Sequence, residues 1–321
     1  MSELLTVSVA NKRQEALGIC SFELVDPRGA PLPAFEAGAH IDVHLGDSLC
    51  RQYSLCNDPA ERHRYLIGVL DEPCSRGGSR AMHASVRAGD LLRIGRPRNL
   101  FRLDPQAPRS LLLAGGIGVT PILAMAEQLA GAGADFHMHY SGRTRARMAF
   151  VDRIRDGRLA AHATLHMDDG PPEQRLDIAS MLAKAPRDAH IYTCGPAGFI
   201  QAVADHARHA GWPSSHVHFE YFAAPEAPSA EAGETFDVRV ASSGQLVTVE
   251  AGESVVAALA RHGIEIPTSC EQGICGTCLT GVLEGEPDHR DMVLSEEERA
   301  LNTQFLPCCS RSRSRLLVLD L

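Results

Sequence analysis

Cys270-Glu271-Gln272-Gly273-Ile274-Cys275-Gly276-Thr277-Cys278 sets three cysteines at C-x4-C-x2-C spacing, and Cys308 follows after 29 intervening residues. Four thiolates can hold two irons bridged by two sulfides, and Gly273 and Gly276 let a loop wrap such a cluster with backbone N–H groups aimed at sulfur. A four-cysteine zinc site is the alternative. Zinc ribbons usually pair C-x2-C knuckles, and the four-residue first gap suits them poorly. Cys309 stands beside Cys308, so the choice of Cys308 as fourth ligand rests on spacing. The other cysteines, Cys20, Cys50, Cys56, Cys74 and Cys194, are scattered. In a chain of this length without an export signal, clustered cysteines point to metal rather than to disulfides.

Around the cysteines the pattern is that of a small mixed domain. A hairpin is predicted over 236–240 and 246–249, an amphipathic helix over 254–262 and a last strand over 316–319. Upstream, Pro225-Glu226-Ala227-Pro228-Ser229-Ala230-Glu231-Ala232-Gly233 has no apolar period and reads as an interdomain linker. Before it, strand candidates (110–114, 135–140, 163–167, 190–193) alternate with helix candidates (121–129, 197–209), which implies a parallel sheet with helices on both faces. The first hundred residues read as short strands between turn clusters, as in a small antiparallel barrel. The predicted architecture is therefore multidomain: an antiparallel β-barrel over 1–104, an α/β domain over 105–225, a linker over 226–233, and an α+β domain over 234–321.

The chain has 321 residues, 44% hydrophobic and 22% charged, the composition of a soluble globular protein. A net charge of −9 argues against a phosphate-neutralising face for nucleic acid. The N-terminus lacks an apolar signal region, and the longest uncharged run is broken by Gly115, Gly116, Gly118 and Pro121. No membrane anchor and a cytoplasmic location are therefore expected.

Two strand-to-helix loops fall at the carboxyl end of the predicted parallel sheet, where open α/β sheets bind ligands. In Gly115-Gly116-Ile117-Gly118-Val119-Thr120-Pro121 the glycines permit close backbone approach. Thr120 is placed to cap the following helix, Pro121 to open it, and free N–H groups favour a pyrophosphate. The second loop is Cys194-Gly195-Pro196. In the barrel region, Arg51-Gln52-Tyr53-Ser54 resembles the flavin motif of ferredoxin-reductase-like proteins, with a ring to pack on isoalloxazine, a hydroxyl for a ring nitrogen and a cation for phosphate. Arg76-Gly77-Gly78-Ser79 precedes a short helix candidate over 80–86 and suits a phosphate monoester. His137 and His139, like His216 and His218, alternate on strands as ordinary side chains would.

These parts, in this order, resemble the phthalate dioxygenase reductase family over essentially the whole chain. The match rests on Arg51, Tyr53, Ser54, Gly78, Ser79, the 115–121 loop, Cys194-Gly195-Pro196, Pro97-Arg98-Asn99-Leu100-Phe101 and the four cluster cysteines. The resemblance implies a plant-type ferredoxin domain of β-grasp fold from Phe236 onward, with Cys270, Cys275, Cys278 and Cys308 as its iron ligands. It implies FMN in the barrel, with Phe222 beside the flavin, and a nicotinamide on Gly115, Gly116, Gly118, Thr120, Pro121, Cys194, Gly195 and Pro196. Ser141 and Arg143 then meet the adenosine ribose. No acid follows in that segment to bind a 2′-hydroxyl, and Arg143 and Arg145 could accept a 2′-phosphate; NADH is nonetheless expected as donor, with NADPH possible. The implied activity is that of a monomeric reductase feeding a Rieske-type terminal oxygenase or O-demethylase. A cytochrome P450 or di-iron hydroxylase as acceptor, and a redox-sensing module without turnover, are the other readings.

Overall fold

The computed structural model describes residues 4–46, 49–72, 77–223, 233–268 and 270–321. The linker expected over 226–233 lies, apart from Gly233, outside the described residues, as does Arg76. Two compact units are present, Met1–Glu220 and Tyr221–Leu321.

The first unit opens with seven strands: β1 (Leu5–Ala16), β2 (Ile19–Val25), β3 (Ala39–Leu45), β4 (Leu49–Ser54), β5 (Tyr65–Leu70), β6 (Leu91–Ile94) and β7 (Arg98–Asn99). They form one sheet in the order β4-β3-β6-β1-β2-β5, with β7 paired to β3. A bridge between Leu55 and Ile67 joins its two ends and closes the barrel. Period-two alternation drives this closure. Val7 and Val9, Phe22 and Leu24, Ile41 and Val43, and Ile67 and Val69 all point into one core. Helix α1 (Gly78–Ser85) buries Met82 against it.

Five parallel strands follow: β8 (Ser110–Gly115), β9 (Phe136–Gly142), β10 (Ala163–Met167), β11 (His190–Cys194) and β12 (Val217–Glu220), in the order β10-β9-β8-β11-β12. The connecting helices are α2 (Val119–Ala132), α3 (Val151–Asp156), α4 (Ile178–Lys184) and α5 (Ala197–His209). Successive residues of β8 serve opposite faces: Leu112 and Ala114 pack with α2, whereas Leu111 and Leu113 pack with Leu182 of α4 and Val203 and Ala207 of α5. A strand buried on both sides needs the continuous apolar run Leu111-Leu112-Leu113-Ala114.

Five imidazoles flank this sheet in two hydrogen-bonded groups. His139 Nδ1 and His166 Nε2 lie 3.0 Å apart, and His190 Nδ1 and His218 Nε2 lie 3.1 Å apart. His137 stacks obliquely on His139. Burial lowers His139 and His218 to about 4 each, and lowers His40 of the barrel to about 4 as well. Between pH 6.5 and 4 the unfolded chain therefore binds more protons than the folded one, and stability falls as the pH falls. His40 and His139 each cost roughly 1–2 kcal/mol at pH 5 on this basis. In a Glu220→Gln background, which removes a buried carboxyl that titrates in the opposite sense, the thermal midpoint at pH 5 is expected at least ~5 °C below that at pH 7.5. A midpoint independent of pH in that window would contradict the buried neutral imidazoles.

The second unit contains β13 (Phe236–Val240), β14 (Leu246–Val249), α6 (Val255–Ala260), β15 (Thr280–Glu284), β16 (Pro287–Asp288), α7 (Glu296–Ala300), β17 (Gln304–Phe305), β18 (Arg311–Ser312) and β19 (Leu316–Leu319). Its mixed sheet runs β14-β13-β19-β15-β17, with β13 and β19 parallel and the other pairs antiparallel. Helix α6 covers it through Val255, Ala258 and Leu259. Arg311 is buried and donates to the carbonyls of Glu234, Glu250 and Glu253 while lying over the Phe236 ring. One side chain thus ties the domain's first strand to the turn before α6. The multidomain class expected from the sequence, barrel, α/β sheet and β-grasp-like α+β sheet, is the one observed.

Candidate functional site

Ser54, Cys194 and Glu220 meet at the carboxyl end of the parallel sheet. Cys194 and Glu220 are register partners on β11 and β12. Ser54, at the end of β4, donates its hydroxyl to Glu220 Oε2 at 3.3 Å. Burial holds the Cys194 thiol well above its ordinary value, and the neighbouring Glu220 adds to that shift. The same burial raises the Glu220 carboxyl to about 8. The group is thus a neutral, weakly polar patch at neutral pH rather than a nucleophile. Glu220 was not among the residues singled out from sequence. Nothing local marks it, because its partner Ser54 stands 166 positions away.

The barrel side of the site is built around β4. Arg51 and Tyr53 alternate with Ser54 along the strand and so leave it on the opposite face. The Tyr53 hydroxyl is buried with no hydrogen-bond partner among the described residues. A Cβ added at Gly78 would stand 2.2 Å from Arg51 Cγ, so the arginine stem lies across the first turn of α1. That helix begins after Gly77, at φ 89°, without a side-chain cap from its N-cap residue. Its other end is neutralised by Lys12, whose Nζ donates to the carbonyls of Met82, His83 and Val86. Ser79 Oγ accepts from the Glu72 N–H. A phenol without a partner among the described residues and an arginine laid across Gly78 at the start of a helix suit a flavin that ends in one phosphate.

The two loops at the sheet's carboxyl end touch backbone to backbone. A Cβ at Gly118 would fall 2.2 Å from the Cys194 carbonyl oxygen, and one at Gly195 would fall 3.0 Å from Gly115 Cα. Gly116 takes φ 55°, with open space where a side chain would go. Residues 116–118 form a single 3-10 turn that leads directly into α2, so Gly118 is the N-cap. This corrects two sequence expectations. Thr120 does not cap the helix; it lies within the first turn, buried, with its hydroxyl donating to the Ile117 carbonyl. Pro121 is the third helical residue rather than the first. Without a side-chain cap, the α2 N–H groups remain open to an anion. The Cys194-Gly195-Pro196 loop in turn feeds α5, with Pro196 as its N-cap.

Farther along the same edge, Ser141 is register partner to Gly115, and its hydroxyl is buried with no partner among the described residues. Arg143 is exposed beyond the end of β9, whereas Arg145 is paired with Asp152 at 2.9 Å. The neighbouring strand supplies what the local sequence lacks: the backbone N–H of Asp168 reaches the Gly142 carbonyl, and that of Asp169 the Arg143 carbonyl. Two carboxylate-bearing residues therefore adjoin Gly142-Arg143. Phe222 is 41% exposed and falls in the second unit, two residues after Glu220.

In the second unit the cysteine loop is shaped by left-handed residues: Glu271 at φ 56°, Gly273 at 72° and Gly276 at 65°. Cys270 Sγ accepts the Gln272 N–H at 3.3 Å, so a backbone donor is already aimed at sulfur. Cys275 Sγ lies 3.1 Å from the Thr277 hydroxyl, and Cys309 Sγ lies 3.7 Å from the Leu306 carbonyl. Cys278 is buried in the core beneath the loop. Among the described residues no three Cys, His, Asp or Glu side chains converge on one point. A single-ion site needs such a point, whereas a two-iron cluster needs one pair of thiolates for each iron. Three cysteines on one short loop, with Cys278 and Cys308 in the same core, offer the four thiolates such a cluster takes.

A family model described as a 2Fe-2S iron-sulfur cluster binding domain matches residues 238–313. The chain is 54% identical, over 99% of its length and 100% of the relative's, to a vanillate O-demethylase oxidoreductase of Pseudomonas putida. A solved phthalate dioxygenase reductase, described as a modular structure for electron transfer from pyridine nucleotides to [2Fe-2S], is 41% identical. It matches 99% of this chain and 98% of its own, with a TM-score of 0.73. An intact type IV self-sufficient cytochrome P450 monooxygenase matches 99% of this chain at 40% identity and a TM-score of 0.89, but the match spans 41% of that longer chain.

Proposed function

Because the chain belongs to the phthalate dioxygenase reductase family, we propose that its partner is a Rieske-type aromatic-ring oxygenase or O-demethylase. It is an NAD(P)H-dependent oxidoreductase, the electron-transfer component of an oxygenase system. When bound, the nicotinamide, FMN and the [2Fe–2S] cluster supply the redox chemistry, a two-electron donor feeding a one-electron carrier through the flavin. The protein's own residues position and insulate. Residues 1–104 hold the flavin, with Arg51, Gly78 and Ser79 at its phosphate and Tyr53 and Ser54 at its ring. Residues 105–225 hold the nucleotide: Gly115, Gly116 and Gly118 give the pyrophosphate a side-chain-free bed, Thr120 and Pro121 shape the helix start beside it, and Ser141 and Arg143 line the ribose. Cys194, Gly195 and Pro196 border the nicotinamide, and Phe222 covers the flavin. Residues 234–321 carry the cluster on Cys270, Cys275, Cys278 and Cys308. The chain works as a monomer in the cytoplasm.

The observation that carries this reading is the Ser54–Glu220–Cys194 group, which joins the flavin motif to the nucleotide sheet in a neutral setting. The test is NADH-dependent reduction of a purified Rieske oxygenase by the FMN-loaded chain. Rapid reduction of ferricyanide with none of the oxygenase would leave the reductase and remove the proposed partner. The match to a self-sufficient P450 favours one competing acceptor, a haem monooxygenase. Side-by-side reduction of the two oxygenase types decides between them.

NADH is the preferred donor. Asp168 and Asp169 set negative charge beside the ribose loop, and Arg145 is engaged by Asp152, so a 2′-phosphate meets repulsion and one free arginine. The specificity constant for NADH is expected to exceed that for NADPH by about tenfold or more. Replacing both aspartates by asparagine should narrow the ratio. Equal constants in the unaltered protein would refute the assignment.

From 232 to 321 the sequence carries fourteen Asp and Glu against seven Arg and no Lys. Charge of one sign steers a basic partner surface and is screened by salt. Oxygenase reduction should therefore slow about tenfold between low and high ionic strength. A flat profile would show that the acidic surface serves solubility alone.

A further inference from the structure

The backbone around the fourth ligand is not extended. The Cys309 N–H bonds to the Leu306 carbonyl at 3.2 Å and the Ser310 N–H to the same oxygen at 2.9 Å, so residues 306–310 form a helical turn. On an extended strand, neighbouring side chains oppose each other, and one of two adjacent thiols must face away. On a helical turn they diverge by only about 100°. The consequence is visible here. Both side chains pack against the same core. Cys309 Sγ presses on the cysteine loop itself: a Cβ added at Gly273, midway between Cys270 and Cys275, would stand 2.4 Å from that sulfur. Gly273 is held there from behind, its carbonyl accepting the Met292 N–H at 2.9 Å. A second thiol therefore abuts the loop beside the one that spacing selects.

We propose that Cys309 is a reserve ligand of the iron–sulfur cluster, able to replace Cys308 on the second iron. The inference rests on the reading of this loop as a [2Fe–2S] site. In the exchange, the iron bond to Cys308 breaks and the departing thiolate takes up a proton, while Cys309 releases its thiol proton and its thiolate forms the new bond to iron; no electrons move.

The test uses the full chain, purified with its FMN, in three forms: Cys308→Ala, Cys309→Ala and the double variant. Alanine removes any substitute ligand atom. Iron and acid-labile sulfide per chain are measured, with the EPR spectrum after dithionite reduction, and FMN content reports on the rest of the fold. Cys309→Ala should match the unaltered protein. Cys308→Ala should retain at least about half of the iron with a shifted EPR signal, and the double variant less than about a tenth. Loss of the cluster from Cys308→Ala as complete as from the double variant would overturn the proposal. Retention by the double variant would overturn it too. Absence of iron from the unaltered protein would instead sink the cluster reading itself.

Discussion

Gly118→Ala should cost the protein about 100-fold or more in NADH-dependent reduction of ferricyanide, while dithionite still reduces the bound centres normally. The backbone conformation is not at issue, since Gly118 sits at φ −60°, which alanine adopts freely. Space is. The new methyl would stand 2.2 Å from the Cys194 carbonyl oxygen, 2.4 Å from its carbon and 2.6 Å from the Gly195 nitrogen, all backbone atoms that cannot swing aside. Relief requires the two nucleotide loops to part, and a shift of about 1 Å in a positioning loop carries a penalty of that order. Gly133→Ala, at the far end of α2, is the control. Its methyl meets nothing within 4 Å, and the cost is the left-handed φ of 64° alone, roughly 1–2 kcal/mol. If the two variants lose activity equally, loop-to-loop packing is not what shapes the nucleotide bed.

How far these features can be read from sequence depends on the distance over which each is encoded. The cysteine spacing is legible because a cluster-wrapping loop must carry its ligands and glycines at fixed short intervals. Strands such as 163–167 and the helix over 197–209 match the observed β10 and α5 because their periodic signal spans the whole element. Short helices gave no such signal. The helix α4 rests on a single cap, Asp177 accepting from the Ser180 N–H, and α7 on the Ser295–Glu298 capping box. Other features exist only after the chain has folded. Asp168 and Asp169 reach the ribose loop through strand pairing, so a search for an acid within the β9 segment misses them. Thr120 looked like a cap because the 3-10 turn ahead of it, which moves the helix start to Val119, has no sequence mark beyond its glycines. The turn at Cys308 and Cys309 is hidden for the same kind of reason. One carbonyl, that of Leu306, gathers two N–H groups, and no pattern of side chains announces it.

Glu220→Gln should separate two effects of one carboxyl. With its folded value raised to about 8 against an ordinary value of 4.5, Glu220 keeps its proton in the folded chain over a pH range in which the unfolded chain has released it. The folded state then binds more protons than the unfolded one, so its stability declines as the pH rises through that window. Glutamine keeps the shape and the acceptor for Ser54 but has no proton to lose. The variant's thermal midpoint at pH 8.5 should therefore lie above that of the unaltered protein by a few degrees, about 1 kcal/mol or more, and the difference should vanish near pH 4.5. Activity should move the other way. With Oε2 protonated, the 3.3 Å contact runs in the reverse sense, the carboxyl donating to Ser54 Oγ and the hydroxyl turned toward the flavin ring to which Ser54 is assigned, and the pair then passes a proton toward that ring. Loss of a positioned acid typically costs about 100-fold or more. A fall of at least tenfold in kcat is expected, together with loss of the alkaline limb that the unaltered protein should show near pH 8. A Gln variant with unchanged kcat and the same alkaline limb would show that Glu220 fills space beside Cys194 and carries no proton for the reaction.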